Sequence, residues 1–259
     1  MPLSDYRTES FTHGGVTHEV FHRGEGPCVL VAAEIPGITP EVIRFADDLH
    51  DLGFSVAMPS MFGTPGREPT PGHALRTIAK ACIGREFQAM ATRDASPATD
   101  WLRALARGST PATAARASDS WACASPVASA SRCFSTAVIA PVLSQPSLPF
   151  GVGKRRKASV GLDDVQLRAV AEQAAEGCSV LGLRFTGDAL VPAARFETLR
   201  DVLGDNFVGV EIQSPDPAHG IGKMAHSVLT EERSAEPGHP TKDAYDQVVA
   251  FLSERLERR

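Results

Sequence analysis

The 259-residue chain lacks the features that mark several large classes of protein. It has no apolar run of about 18 residues, the length needed to span a membrane, and residues 1–10 are polar and contain no apolar signal segment. The five cysteines are an odd number without paired spacing, which indicates reduced thiols rather than a disulfide framework. Positive charge is not in excess, because the formal net charge is −5. We therefore expect a globular cytoplasmic protein with neither a membrane nor a nucleic acid as its partner.

What the sequence does contain is an alternation of strand-like and helix-like segments. Residues 10–22 alternate partly between apolar and polar side chains around a Gly-Gly turn, which predicts an edge hairpin. Residues 27–33 form a continuous apolar run, as in a strand buried on both faces. A helix is predicted to follow, with Thr39 as its N-cap and Pro40 at its first position. The next strand is predicted at residues 54–59, which completes a βαβ unit.

The alternation continues to the end of the chain. Further strands are predicted at residues 137–142, 180–185 and 207–212. Further helices are predicted at residues 74–90, 97–107, 163–176, 192–203 and 241–258. Strands that alternate with helices form parallel sheets with helices on both faces. We therefore predict a single α/β domain over residues 1–259, built on one doubly wound, mostly parallel sheet.

Residues 109–136 do not fit this alternation. The segment consists mostly of Ala, Ser, Arg, Thr and Pro, and its apolar residues follow neither the strand period nor the helix period. This composition predicts a linker. Yet the segment lies where the alternation requires a central strand and the helix after it, and a loop of this length inside a compact domain is unusual. The sequence thus predicts an anomaly at the centre of the sheet.

The segments on either side resemble the dienelactone hydrolase family of α/β-hydrolases. Glu34, in Ala-Glu-Ile-Pro-Gly, is similar to the family's glutamate after an early strand. Asp188, in Phe-Thr-Gly-Asp-Ala-Leu-Val-Pro, resembles the family's strand-end aspartate, and His226, in Ala-His-Ser, stands where the family's histidine loop falls. The resemblance covers most of the chain and implies the α/β-hydrolase fold. It also implies hydrolysis of a small-molecule ester or lactone by a Cys–His–Asp triad through an acyl-enzyme, without metal or cofactor, in a monomer or homodimer.

In this family a Gly-x-Cys-x-Gly elbow occupies the place of residues 109–136. Reading that segment one base out of frame, with freely chosen GC-rich codons, gives an apolar strand, a Gly-x-Cys-x-Gly-Gly elbow and an amphipathic helix. We therefore hypothesise two compensating frame changes, near Gly108 and near Ala137. In the chain as written, Cys123 is the nearest candidate nucleophile, and a tryptophan and a serine occupy the two glycine positions around it.

Two alternatives to this cysteine hydrolase remain open. If the written sequence is the real one, the nucleophile elbow has been lost, and the chain is a catalytically inactive scaffold or binding protein. The second alternative is a general carboxylesterase with a serine nucleophile, although the sequence contains no Gly-x-Ser-x-Gly.

Asp188 and His226 form the rest of the predicted triad. Asp188 follows a predicted strand, at the edge of the sheet where an aspartate can orient a histidine through its Nδ1–H. An ordinary turn aspartate before a helix is the alternative interpretation. His226 lies on a loop beyond the last strand, and we favour it over His219 as the general base.

The resemblance assigns two further residues to the substrate. It implies that Glu34 interacts with the nucleophilic thiol and with the entering substrate, whereas an exposed carboxylate at a strand end is the alternative. It also implies that Arg85 binds a substrate carboxylate, a task that suits a bidentate guanidinium. A charged pair with the adjacent Glu86 on a helix surface is the alternative for Arg85.

The remaining candidates are interpreted as structural residues. The basic segment at residues 151–157 lacks the spacing of a phosphate loop and predicts a solvated loop. Cys28, Cys82 and Cys178 are predicted to be small core residues. His239 stands next to a glycine and is predicted to lie in a surface loop.

Overall fold

The computed structural model describes residues 2–68, 70, 97–108, 121–127, 138–147, 153–162 and 164–256. Its strands are β1 (Arg7–His13), β2 (Val16–Arg23), β3 (Cys28–Val31), β4 (Ser55–Pro59), β5 (Trp121–Val127), β6 (Val138–Ser147), β7 (Val180–Phe185) and β8 (Phe207–Ile212). Its α-helices are α1 (Pro40–Asp51), α2 (Pro97–Gly108), α3 (Lys154–Ala158), α4 (Asp164–Ala175), α5 (Ala193–Leu203) and α6 (Pro240–Leu256). Within these ranges no helix has the length and apolar character required to span a membrane.

The strands form one eight-stranded sheet in the order β1-β2-β4-β3-β5-β6-β7-β8. β2 pairs antiparallel with both β1 and β4, and the other neighbouring strands pair in parallel. The predicted edge hairpin and the mostly parallel sheet are therefore confirmed. The helix predicted at residues 74–90 lies outside the described residues, and so do Arg85 and Cys82.

The hydrophobic core lies on both faces of the sheet, because successive side chains of a strand point to opposite faces. Val29 and Val31 of β3 pack in one cluster with Phe251 of α6. Leu30, between them, packs in a second cluster with Trp101 of α2. Helices thus cover both faces, and the sheet is doubly wound. In such a sheet, the edge at the carboxyl ends of the parallel strands is where ligands bind.

Helix α1 begins at the predicted residue. Thr39 Oγ1 accepts a hydrogen bond from Val42 N at 3.3 Å, and Pro40 is the first helical residue. The Thr39 hydroxyl satisfies an amide that would otherwise have no partner in the first turn, which is the function of an N-cap.

Strand β5 lies at the centre of the sheet, between β3 and β6. The linker interpretation is wrong for residues 121–127, because their backbone pairs in parallel with both neighbouring strands. The register with β6 shifts twice, once near the start of β5 and once around Pro126. A proline has no N–H to offer to a sheet and is seldom found in a central strand. The central strand is present but irregular.

The basic segment also differs from its prediction. Residues 151–157 were expected to form a loop, but Lys154–Ala158 forms the short helix α3. The prediction failed because a run of basic residues is compatible with either conformation when no apolar period distinguishes them.

Candidate functional site

Asp188 and His226 meet at the carboxyl edge of the sheet. Asp188 lies in the turn after β7, and its backbone N–H donates to Phe185 O at 3.2 Å. His226 lies on the segment between β8 and α6. The distance between His226 Nδ1 and Asp188 Oδ2 is 2.6 Å, and Asp188 is buried. The structure thus brings together the two residues that the sequence singled out at positions 188 and 226.

Two buried arginines hold the turn that carries Asp188. Within the turn, Leu190 N donates to Asp188 Oδ1 at 2.9 Å. Arg195 Nη1 donates to Leu190 O at 3.0 Å, and Arg184 Nη1 donates to Val191 O at 2.6 Å. Hydrogen bonds from charged donors are strong where water is excluded, so these contacts fix the position of the Asp188 carboxylate.

Arg195 also connects this turn to two other segments. Its Nε donates to Ser159 O at 2.7 Å, and its Nη1 donates to Pro146 O at 2.5 Å. Burial lowers the pKa of the Arg195 guanidinium to about 10, and the negative charge of Asp188 opposes that effect. The side chain therefore remains a cation at neutral pH, and it ties the end of β6 to the Asp188 turn.

Ser214 holds the other side of the same turn. Gly187 N donates to Ser214 Oγ at 2.9 Å, and Ser214 N donates to Thr186 Oγ1 at 3.0 Å. A Cβ atom at position 187 would stand 2.7 Å from Ser214 O, closer than real Cβ contacts. The glycine before Asp188 is therefore required by the close approach of the Ser214 backbone.

Glu34 occupies the second ring nitrogen of His226. Glu34 follows β3, and its Oε2 is 3.2 Å from His226 Nε2. Its other oxygen, Oε1, accepts from Ser227 Oγ at 2.9 Å and from Gln145 Nε2 at 3.2 Å. The imidazole thus lies between two carboxylates, Asp188 on Nδ1 and Glu34 on Nε2.

Gln145 is a site residue that the sequence analysis missed. It lies in β6 with only 2% of its surface exposed, and its backbone has a positive φ of 39°. Its Oε1 accepts from Val228 N at 3.3 Å and from the Ser144 hydroxyl. Such a conformation in a residue other than glycine is uncommon and often marks a functional position. Contacts over such large sequence separations leave no local pattern. The sequence signal available was the Gln-Pro pair at the end of β6, which indicates an irregular strand.

The two carboxylates keep His226 protonated. Burial lowers the pKa of the His226 imidazole, but the hydrogen bonds and negative charges of Asp188 and Glu34 outweigh burial and raise the pKa to about 10. At neutral pH, His226 is therefore an imidazolium ion that donates from both nitrogens. In this state it can donate a proton, but it cannot accept one until Glu34 moves away or becomes neutral.

The structure does not bring Cys123 to this edge of the sheet. The backbone of Cys123 pairs with Leu30 of β3 and with Pro141 of β6. Leu30 lies within β3, whereas Glu34 follows the carboxyl end of that strand. The backbone pairing of β5 thus places Cys123 level with the middle of β3, and its assignment as nucleophile stays a prediction.

His219 and His239 form a second group near the same edge. His219 Nδ1 is 2.6 Å from Asp216 Oδ2, on an exposed turn. His239 is buried rather than on the surface, so that prediction is wrong. Its Nε2 lies 3.0 Å from His219 O, and its Nδ1 accepts from Thr241 N at 3.2 Å, at the start of α6. The glycine beside His239 gave no hint that the imidazole caps a helix.

Comparisons with known proteins identify the fold. No protein-family model matches the sequence, and no curated protein matches it. A Klebsiella pneumoniae protein assigned as a dienelactone hydrolase has a similar structure, with a TM-score of 0.61, 16% identity, and coverage of 96% of this chain and 98% of that chain. A dienelactone hydrolase from Anabaena variabilis has a TM-score of 0.56, 15% identity, and coverage of 97% and 98%. An esterase from Pyrococcus furiosus has a TM-score of 0.54, 13% identity, and coverage of 98% and 92%. The chain has the α/β-hydrolase fold.

Proposed function

We propose that the chain hydrolyses ester or lactone bonds in small molecules. The observation that carries this proposal is the Asp188–His226 pair at the carboxyl edge of an α/β-hydrolase sheet. A histidine oriented through Nδ1 by a buried carboxylate is the general base and general acid of acyl transfer. Similar structures that carry the names dienelactone hydrolase and esterase support the same class of reaction.

In the proposed reaction His226 moves protons to and from the reacting atoms. Once Glu34 leaves Nε2 and the ring is neutral, Nε2 takes the proton of the nucleophile, which attacks the acyl carbon. The tetrahedral intermediate then expels the alkoxide, and His226 Nε2 returns the proton to it. Water then attacks the acyl-enzyme as His226 Nε2 takes its proton, and His226 returns the proton to the nucleophile as it leaves. Asp188 stabilises the imidazolium in both half-reactions.

We assign the nucleophile of this reaction to Cys123. Burial raises the pKa of the Cys28 thiol to about 12 and also raises that of Cys178, so neither supplies a thiolate at neutral pH. Cys123 lies on a central strand. The resemblance of the flanking segments to the dienelactone hydrolases is what supports its assignment as nucleophile.

The acid–base pair is tested with chromogenic acetate esters and an aromatic lactone. His226→Ala and Asp188→Asn are expected to lower kcat/KM by at least about 100-fold, the usual contribution of general acid–base catalysis. His219→Ala and Asp216→Asn are matched controls, because that exposed pair has the same 2.6 Å contact. Equal losses in both pairs, or wild-type turnover in His226→Ala, would refute the proposed role.

The nucleophile is tested separately. Cys123→Ala and iodoacetamide treatment are both expected to abolish turnover, whereas Cys178→Ala is expected to retain it. Turnover that survives both treatments would remove Cys123 from the mechanism and leave the role of His226 intact.

One observation favours a second candidate function, that of an inactive binding protein. The register of β5 places Cys123 beside Leu30 and Pro141, away from His226. In that case the Glu34–His226–Asp188 site binds a small molecule without turning it over. The expected result is turnover no greater than in buffer, together with calorimetric binding of a lactone analogue that Glu34→Gln weakens.

A further inference from the structure

Glu34 blocks the atom of His226 that the proposed reaction needs. Nδ1 of the imidazole faces Asp188, so Nε2 is the nitrogen available for proton transfer. In the structure, that nitrogen lies 3.2 Å from Glu34 Oε2. An imidazolium in contact with a carboxylate has no lone pair to accept a proton, so the position of Glu34 decides whether His226 can act as a base.

Two neutral donors hold Glu34 in this position. Ser227 Oγ and Gln145 Nε2 both donate to Glu34 Oε1, which leaves Oε2 directed at His226. Ser227 is the immediate neighbour of His226 in the chain, whereas Gln145 comes from β6, on another strand of the sheet. Gln145 thus connects the Glu34 side chain to a strand of the sheet.

Gln145 is itself held firmly enough to define that contact. Its amide oxygen accepts from Val228 N and from the Ser144 hydroxyl, so its amide nitrogen is directed toward Glu34. The side chain is buried, and its backbone lies in the left-handed region. A buried amide with both ends hydrogen-bonded has little freedom to reorient.

We propose that Gln145 is a positioning residue that holds the Glu34 carboxylate on His226 Nε2 and so keeps the general base blocked until a substrate displaces Glu34. The positioning of Glu34 stands on the contacts alone. Its consequence for catalysis rests on the proposed function.

Most of the charged groups around the site are carboxylates. His226 faces the carboxylates of Asp188 and Glu34, and the positive charge of Arg195 acts on Asp188. Burial raises the pKa of Glu231 to about 7, assisted by the negative charges of Glu41, Glu68 and Glu34. Ser227 and Gln145 bring hydrogen-bond donors to Glu34 without adding a further charge to this group.

The proposal is tested by NMR titration of His226 in the full-length protein, a measurement that needs no turnover. Gln145→Met removes the amide with little change in side-chain volume. It is expected to lower the pKa of His226 by about 1 unit, a tenfold loss of proton affinity, because Glu34 is no longer held on Nε2. Glu34→Gln is expected to lower the pKa of His226 by about 2 units, and Gln247→Met, at an exposed glutamine of α6, is the matched control.

A His226 pKa in Gln145→Met that equals or exceeds the wild-type value would overturn the proposal. If Gln145→Met does not fold, Gln145→Asn carries the test, since it keeps an amide but shortens its reach toward Glu34. The same direction of change is then expected.

Kinetics separate this inference from the proposed function. If the chain is a hydrolase, the acidic limb of the kcat/KM profile of Gln145→Met moves to lower pH by about 1 unit, and its activity at pH 7 rises severalfold. An absence of turnover in the wild type would refute the proposed function, whereas the His226 titration would still decide the role of Gln145.

Discussion

The turn that carries Asp188 and the strand that carries Cys123 are built in different ways. The Asp188 turn follows β7, whose register with β8 is unbroken from Val180 to Phe185, and buried arginines bind its carbonyl groups. Strand β5 is bordered on both sides by parallel strands, yet its register with β6 shifts twice and it contains Pro126. The Asp188 turn thus combines a regularly paired strand with strong polar contacts, whereas β5 lies at the centre of the sheet but is irregularly paired.

This difference shows that the Asp188–His226 pair and the proposed nucleophile lie on different elements of the fold. Glu34, after β3, contacts His226 and is itself contacted by Gln145 of β6. Arg184 of β7 and Arg195 of α5 bind the turn that carries Asp188. All these residues lie outside β5, so an intact Asp–His pair is no evidence for a nucleophile. Substitutions in the Asp188 turn and in β5 should therefore have separate effects.

A large effect is expected at Arg195, the centre of the polar contacts in the Asp188 turn. Arg195→Met preserves most of the side-chain volume but leaves Ser159 O, Pro146 O and Leu190 O without their donor. Buried acceptors without partners cost about 1–3 kcal/mol each in the worst case, so we expect a loss of about 3 kcal/mol in the free energy of unfolding. Urea denaturation measures the change.

Arg168→Met provides the control for this change, because Arg168 is exposed on α4. An exposed substitution is expected to change the free energy of unfolding by less than about 0.5 kcal/mol. Equal stability of the two variants would mean that the Asp188 turn is no better held than an ordinary surface loop. The proposed difference between this turn and β5 would then be wrong.

The next effect, of similar size, concerns pH. The folded-state pKa of His226 is raised to about 10, above the ordinary value of 6.5, so the stabilisation that it contributes is complete below about pH 6.5 and is lost as pH rises through 10. The wild type should therefore exceed His226→Gln in free energy of unfolding at pH 7, and this difference should narrow by about 3–4 kcal/mol between pH 7 and pH 10.

Groups that titrate alike in the wild type and in His226→Gln do not contribute to the difference between their free energies of unfolding. The pH dependence of that difference therefore reports on position 226. His13→Gln, at an exposed histidine of β1, is the control. If the difference in free energy of unfolding between the wild type and His226→Gln stays constant or increases from pH 7 to pH 10, the ion pairs of His226 with Asp188 and Glu34 are contradicted.

The regular region was the part that could be predicted from the sequence. The strand boundaries predicted at residues 180–185 and 207–212 coincide with β7 and β8, because each is a compact apolar run between turn residues. The N-cap at Thr39 was equally predictable, since capping depends on residues close in sequence. Local patterns fix such elements before any tertiary contact is known.

The contacts that complete the site could not be predicted in the same way. Gln145 reaches Glu34 across 111 residues of sequence and Val228 across 83, and no periodicity marks such pairs. His239 was assigned to the surface because its neighbour is a glycine, yet its ring accepts a hydrogen bond from Thr241 N at the start of α6. Tertiary hydrogen bonds of polar side chains determine these positions, and sequence alone carries little signal of them.

Hydrogen exchange compares the two regions directly, without any substitution. The amides of β7 are expected to exchange at least about tenfold more slowly than those of β5, because regular pairing on both sides protects them from local opening. NMR at neutral pH resolves both sets, and Pro126→Val should reduce the difference by restoring an N–H to β5. Protection in β5 equal to that in β7 would show that the shifts in register have no energetic consequence.

The smallest expected effect tests the outer contacts of the Asp188 turn. Ser214→Ala removes the acceptor of Gly187 N, a hydrogen bond of 2.9 Å at a buried residue. We expect a loss of about 1 kcal/mol in the free energy of unfolding, typical of a single neutral hydrogen bond, and no more than a small change from the control variant Ser10→Ala, at an exposed serine of β1. If Ser214→Ala were as stable as Ser10→Ala, the buried arginines alone would account for the order of the turn. A loss near 1 kcal/mol would instead show that the turn is held from both sides, by Arg195 and Arg184 on its carbonyl groups and by Ser214 on the amide of Gly187.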